Sequence, residues 1–183
     1  MTTIVGISGS LRRGSFNTAL LRAAAEMMPQ GSELLMESIE GIPLYNGDVE
    51  AAEGIPKRAA ELKKAIAAAN GLLLVTPEYN NSMPGVLKNA IDWLSRPQSD
   101  IKVVFGGKPV SLTGASLGPF GTVLSQSAWL PVLRTLGTRP WFGGRLLVSS
   151  AAAVFDEQGK LTDETIRKQL EQFLRGFVEF IIK

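Results

Sequence analysis

The stretch GISGSLRRGSFNTALL, residues 6–21, leaves an apolar run through glycine, serine and two adjacent arginines and then enters a helical pattern. The run before it, TIVGIS (3–8), reads as a buried strand. After it Phe16, Leu20, Leu21, Ala24, Met27 and Met28 recur at helical spacing, with Ser15 placed to cap the helix. A strand that turns directly onto a helix is the first half of a βα unit, and two readings of the turn follow. Either its serines only cap the helix, or the loop wraps an anion.

The same alternation continues down the chain. ELLMES (33–38) reads as a second strand, followed by a Gly- and Pro-containing loop, EGIPLYNGDVEAAEG (40–54). A helix follows, with Pro56 in its first turn and Ile55, Ala59, Leu62 and Ile66 on one face. GLLLVT (71–76) is a third strand, and Pro84 opens a helix that buries Leu87, Ala90, Ile91 and Leu94. KPVSLTGAS (108–116) is a fourth strand, a helix spans about 121–136, and a fifth strand covers about 141–149. The last helix starts near 162 with Thr162 as its cap, and its apolar stripe runs from Ile166 to Ile182. Five strands alternating with helices predict one α/β domain over residues 1–183. Its fold class is a flavodoxin-like three-layer sandwich with a five-stranded parallel sheet in the order 2-1-3-4-5. Ligands of such sheets sit beyond the carboxyl ends of the strands, where strands 1 and 3 diverge. The unusual residues should then follow strands 1, 3 and 4, and they do.

Composition narrows the chemistry. The chain has no cysteine and no histidine. Thiolate catalysis, Cys- or His-ligated metals and a Ser-His-Asp hydrolase are thereby excluded within it. A net charge of +2 with no concentrated Lys/Arg run argues against nucleic acid as a partner. No apolar run is long enough to span a bilayer, so no membrane partner is expected. The N-terminal MTTIVGIS lacks the layout of a secretory signal, and a cytoplasmic location is expected. Chemistry in such a chain points to a bound cofactor.

After strand 1, SGSLRRGSFN (8–17) offers hydroxyls from Ser8, Ser10 and Ser15, polar groups of Asn17 and Thr18, and the charge of Arg12 or Arg13. No acidic residue occurs in residues 1–25. The loop matches neither the nucleoside-triphosphate pattern G-x-x-x-x-G-K-[ST] nor the dinucleotide pattern G-x-G-x-x-G, and it suits a terminal phosphate monoester. After strand 3, TPEYNNSMPGVLKNAIDW (76–93) sets a polar, aromatic segment between Pro77 and Pro84. Tyr79 offers a face to a planar ring, and Asn80, Asn81 and Ser82 stabilise the turn; a rigid βα turn alone would read the same way. After strand 4, TGASLGPFG (113–121) adds a small-residue loop centred on Ser116 and Gly118. A phosphate loop, an aromatic turn and a small-residue loop at one end of a sheet fit flavin mononucleotide (FMN).

GSLRRGSFN (9–17) and PEYNNSMPGVLKNAIDW (77–93) resemble the two hallmark segments of the NAD(P)H-dependent FMN reductases, a family of quinone, chromate and azo-dye reductases. The resemblance covers nearly the whole chain. It implies an enzyme that passes hydride from NADPH or NADH through flavin N5 to a small-molecule electron acceptor, with ping-pong kinetics and no catalytic side chain. It places Ser10, Arg12, Ser15, Phe16, Asn17 and Thr18 around the phosphate. Pro77, Glu78, Tyr79 and Asn80 fall along the isoalloxazine, with Ser116 and Gly118 on the third loop. It also implies a homodimer or dimer of dimers whose neighbouring subunit closes the site near IPLYNGD (42–48), with Tyr45 as the candidate residue. One departure stands out. Chromate-reducing relatives carry a basic residue and a tyrosine after the third loop, where this chain presents Leu124 and Trp129. Trp129, Leu130, Phe120 and Trp141 are read as either core or interface. Two other readings stay open: a flavodoxin-like electron carrier without its own NAD(P)H oxidation, and a non-redox phosphate- or nucleotide-binding domain. Within the reductase reading, reduced FMN could instead be released to a partner.

Overall fold

In the computed structural model, which describes residues 1–183, the alternation resolves into one parallel sheet with helices on both faces. The elements are β1 (Thr2–Ser8), α1 (Phe16–Glu26), β2 (Ser32–Glu37), α2 (Gly47–Glu53), α3 (Lys57–Ala68), β3 (Gly71–Val75) and α4 (Gly85–Leu94). A 3-10 turn at Gln98–Asp100 leads to α5 (Ile101–Val104) and β4 (Pro109–Ala115). Then come α6 (Val123–Thr135), β5 (Arg139–Pro140), β6 (Leu146–Val148), α7 (Ala151–Val154) and α8 (Glu164–Ile182). Strands run β2-β1-β3-β4-β5, with β6 also on β4, and every pairing is parallel. This is the expected flavodoxin-like order.

The near-continuous apolar strands are explained by burial on both sides. Ile4, Leu73, Val75, Ala115 and Val148 pack under α1 and α8, while Val5, Ile7, Leu72, Leu74 and Val110 pack under α3, α4 and α6. α1 starts where Ser15 accepts a hydrogen bond from Thr18 N–H, a cap that contributes about 1 kcal/mol. α8 is capped by Asp163, whose Oδ1 accepts from Ile166 N–H at 2.8 Å. The expected cap, Thr162, instead donates its hydroxyl to the Val154 carbonyl at 3.2 Å.

Two further expectations are corrected. The fifth strand does not run over 141–149: only β6 (Leu146–Val148) falls within that span, and the short β5 (Arg139–Pro140) precedes it. After Pro140, Trp141 swings in to pack on Phe173 and Phe177, with ring centroids 5.2 and 5.7 Å away. The chain then passes over the indole through Gly143 and Gly144, which have no side chain to obstruct it. The second departure is α2, inside the segment read as a loop. Asn46 caps it by accepting from Asp48 N–H at 2.9 Å, and Asp48 and Glu50 occupy its first turn, where carboxylates are favoured. Trp129 is core, fully buried, with its indole N–H on Thr76 Oγ1 at 3.0 Å. Trp141 is half-buried, and Phe120, Leu124 and Leu130 are exposed. No helix is long and apolar enough to cross a membrane.

Candidate active site

At the carboxyl end of β1, Gly9 donates its N–H to Val75 O at 2.9 Å, so the first loop leaves alongside the end of β3. A side chain at Gly9 could not be accommodated. Its Cβ would lie 2.8 Å from Leu87 Cδ2 and 2.9 Å from Pro77 Cδ. The approach of the first and second loops thus depends on that glycine. Ser10 Oγ then accepts from Arg12 N–H at 3.3 Å, shaping the turn while leaving its own proton free to donate. Ser15, as the cap of α1, likewise keeps its hydroxyl proton. The N–H groups of Phe16 and Asn17, in the first turn of α1, take no partner in the chain. Arg12 is exposed and joins no ion pair; its guanidinium lies over the Phe16 ring at 5.9 Å, and Phe16 stacks on Phe155 at 5.8 Å.

The second loop is a tight hairpin. Tyr79 and Ser82 exchange N–H···O bonds of 3.0 Å each, and the residues between them, Asn80 and Asn81, have φ of 49° and 60°. Two successive left-handed residues make a type I′ turn, which explains why asparagines stand there. The hairpin lifts Tyr79 into solvent. The base of the loop is tied down by Thr76, whose Oγ1 shares a hydrogen bond with Ser125 Oγ at 2.8 Å. Glu78 Oε2 accepts from Leu124 N–H at 2.8 Å and Ser125 N–H at 3.0 Å, at the head of α6.

The third loop follows β4. Gly118 O accepts from Ser116 Oγ at 3.3 Å and from Ser150 N–H at 3.0 Å, so the loop folds back on itself. Its root is held from the first loop. Asn17 Nδ2 donates to Ala115 O and Ala115 N–H donates to Asn17 Oδ1, both at 2.9 Å and both buried.

These loops enclose a cavity of about 520 Å³, open to solvent. That lies in the range of about 300–1,000 Å³ typical of small-molecule sites. Of the expected site residues, Ser10, Arg12, Ser15, Phe16, Asn17, Pro77, Glu78, Tyr79, Ser116 and Gly118 line it. Thr18 and Asn80 do not. Thr18 Oγ1 is paired with Ser8 Oγ at 2.9 Å, and Asn80 forms the hairpin tip. Between the two arginines the structure brings Arg12 to the cavity, while Arg13 faces the neighbouring depressions. Ala115, Leu117, Pro119, Phe120 and Gly121 also line the cavity; none is among the expected site residues, although all lie in the TGASLGPFG loop expected at the pocket. Tyr45 lies elsewhere. Its hydroxyl donates to Glu50 Oε2 at 2.8 Å and its ring meets Trp93 edge-on at 5.0 Å. The Tyr45 phenol is pushed above its ordinary pKa by that bond, and Arg96 holds the Glu50 carboxyl below its own.

The donor set suits a phosphorylated planar ligand. Unpaired N–H groups at a helix head, two hydroxyl protons and an unpaired guanidinium belong to residues that line the one cavity. The single lining carboxylate, Glu78, has one oxygen bonded to a helix end. Tyr79, Leu117 and Phe120 add apolar surface to the same lining.

Comparison with known proteins identifies the family. An NAD(P)H-dependent FMN reductase of Pseudomonas aeruginosa is 45% identical over 94% of this chain and 91% of its own. A quinone reductase of Escherichia coli is 38% identical over 97% of this chain and 94% of its own. Among solved structures, FerB from Paracoccus denitrificans, a flavoenzyme NAD(P)H:(acceptor) oxidoreductase, superposes with a TM-score of 0.87 at 32% identity, covering 99% of this chain and 97% of its own. The model of the NADPH-dependent FMN reductases matches residues 2–153, from β1 through the third loop and into α7, and to that family this chain belongs.

Proposed function

We propose that the protein reduces quinones and similar small-molecule acceptors, chromate, azo dyes or free flavin among them, with electrons from NADPH or NADH and FMN held in the cavity between the three loops. The observation that carries this reading is that one cavity is lined by Phe16 and Asn17, whose N–H groups are unpaired, by unpaired Arg12, and by the apolar and aromatic surfaces of Tyr79, Leu117 and Phe120. Bound FMN supplies the hydride and electron chemistry that the side chains of a chain without histidine or cysteine lack. The chain's own residues bind, orient and exclude water. The head of α1, the hydroxyls of Ser10 and Ser15 and the Arg12 guanidinium hold the phosphate. Thr18 acts from behind, fixing Ser8. Residues Pro77 to Tyr79 present backbone groups to the ring edge, with Asn80 shaping the turn beyond them, and Ser116 and Gly118 bound the ring from the third loop. Tyr79, Leu117 and Phe120 shield the ring's surroundings from water and leave space for flat reactants to alternate.

The whole chain acts as one FMN-binding domain, working in the cytoplasm as a homodimer or dimer of dimers. Leu44 is 82% exposed and held rigidly, because Asn89 and Trp93 both donate to Pro43 O and Tyr45 N–H donates to Asn89. An apolar side chain so presented, beside Tyr45, fits contact with a second subunit.

The test is a visible spectrum of protein incubated with FMN, followed by anaerobic titration with NADPH and NADH and steady-state turnover with a quinone. Expected are retention of FMN through gel filtration during turnover and acceptor-dependent NAD(P)H oxidation without added reductase. Oxidation that requires another reductase would make the protein an electron carrier.

A further inference from the structure

We infer that Glu78 is a positioning residue, one that sets the width of the cavity by capping a helix that belongs to a different loop. The inference rests on the flavin reading above. α6 has no cap of its own: Thr122, at the cap position, makes no side-chain cap bond, and its Oγ1 instead accepts from Gln126 Nε2 at 3.1 Å. The N–H groups of Leu124 and Ser125, in its first turn, instead meet Glu78 Oε2, from a residue 46 and 47 positions earlier. A carboxylate on two N–H groups at a helix head gains from charge-assisted bonding and from the helix dipole together.

The consequence lies in what the bond connects. Beyond the end of β3, the only hydrogen bonds between residues 77–83 and residues 116–126 are the two that Glu78 accepts. The residue after Glu78 is Tyr79, the base of the hairpin, and the residue before it packs on Gly9. The third loop is held at its other end by Asn17 through Ala115. With Glu78 in place the third loop is fixed at both ends, by side chains from the first and second loops. Without it, the loop roots stay joined through Thr76 Oγ1 and Ser125 Oγ at 2.8 Å, but the hairpin beyond them loses its hydrogen bonds to the head of α6, and the surface facing a planar ligand loses its spacing. The same bond turns the only carboxylate of the lining toward a partial positive charge, where it opposes an anionic ligand least.

The experiment compares wild type with Glu78→Ala, Glu78→Gln, and Glu78→Ala combined with Val123→Asp. The last places a carboxylate in the first turn of α6 without linking the loops. The readouts are apo-protein Tm, amide exchange at Leu124 and Ser125, and FMN affinity by fluorescence quenching. Glu78→Ala is expected to lower Tm, deprotect both amides and weaken FMN binding by about tenfold or more, as loss of a charge-assisted restraint should. Glu78→Gln, which keeps one acceptor oxygen, recovers part of that affinity. Val123→Asp restores Tm but not FMN affinity, and it also supplies a folded background should Glu78→Ala alone be too unstable. Unchanged affinity in Glu78→Ala, or full recovery of affinity by Val123→Asp, would overturn the inference alone. Wild type with protected Leu124 and Ser125 amides but no FMN binding would overturn the flavin reading and take this inference with it.

Discussion

Replacing Arg12 with alanine separates phosphate anchoring from everything else the first loop does. Arg12 is exposed and has no carboxylate partner, so its contribution to folding is limited to its contact with Phe16 at 5.9 Å. An exposed cation–π contact of that kind is worth about 0.5–1 kcal/mol, so Tm should hardly move. Toward a phosphate in the cavity the guanidinium would make charge-assisted hydrogen bonds worth about 1.5–3 kcal/mol, or roughly 10- to 100-fold in Kd. Riboflavin has the same ring and no phosphate, so its affinity should change little. The assay is fluorescence quenching of both flavins by wild type and Arg12→Ala at low and high salt. FMN binding to wild type should weaken with salt, and the variant should show a flatter dependence. Arg13→Ala, outside the cavity lining, should have the smaller effect on FMN. Equal losses for riboflavin and FMN would refute the assignment, as would a variant whose hydride transfer in FMN-saturated protein suffers more than its FMN retention.

Other outcomes follow from the frame around the cavity. Asn17→Leu leaves the buried N–H and C=O of Ala115 without their partner, and about 2–4 kcal/mol of stability should be lost in urea denaturation. Asn81→Gly should leave Tm nearly unchanged because φ of 60° suits glycine, whereas Asn81→Val should cost about 1–2 kcal/mol. Acid should loosen the strap that carries α2 before it unfolds the sheet. Hydrogen bonds from Arg96 to Glu50 and from Lys63 to Asp100 hold both carboxyls below their ordinary values. A depressed folded-state pKa stabilises above the unfolded value and is lost as pH falls through the folded one, so the window lies below about pH 4. Hydrogen exchange at residues 46–54 should rise there ahead of exchange in β1 and β3, and simultaneous loss would contradict this.

The order of the sheet was legible because apolar runs and helical stripes alternate without interruption, as Ile4–Ile7, Leu72–Val75 and the α8 stripe show. Where the reading failed, a local rule was outweighed by a contact elsewhere in the chain. The run 141–149 has the composition of a strand, but after Trp141 N–H reaches Val110 O the chain turns over the indole, which packs on Phe173 and Phe177, and pairing resumes only at Leu146. Thr162 and Asp163 are both acceptable caps, and only the nearby Val154 carbonyl decides between them. α2 was hidden by its glycines, although Asn46 followed by Asp48 and Glu50 is a helix-start signal.

Within the cavity the same ambiguity takes a sharper form. A polar side chain in a loop at the end of a strand reads as ligand-facing, because a ligand is one way to satisfy it. Asn17 and Glu78 show the other way. Their partners lie 98 residues away in β4 and 46 to 47 residues away in α6, so no local pattern reveals that the amide and a carboxylate oxygen are already engaged. The free groups suited to a phosphate are less conspicuous in a sequence: the N–H groups of Phe16 and Asn17, the hydroxyl protons of Ser10 and Ser15, and one guanidinium. Every one of these is a donor. A cleft whose Asn17 amide and Glu78 cap secure its walls, and whose unengaged phosphate-end groups all donate, selects for an anion held by a rigid frame, and rigidity is what a planar ring exchanging electrons with successive flat reactants requires.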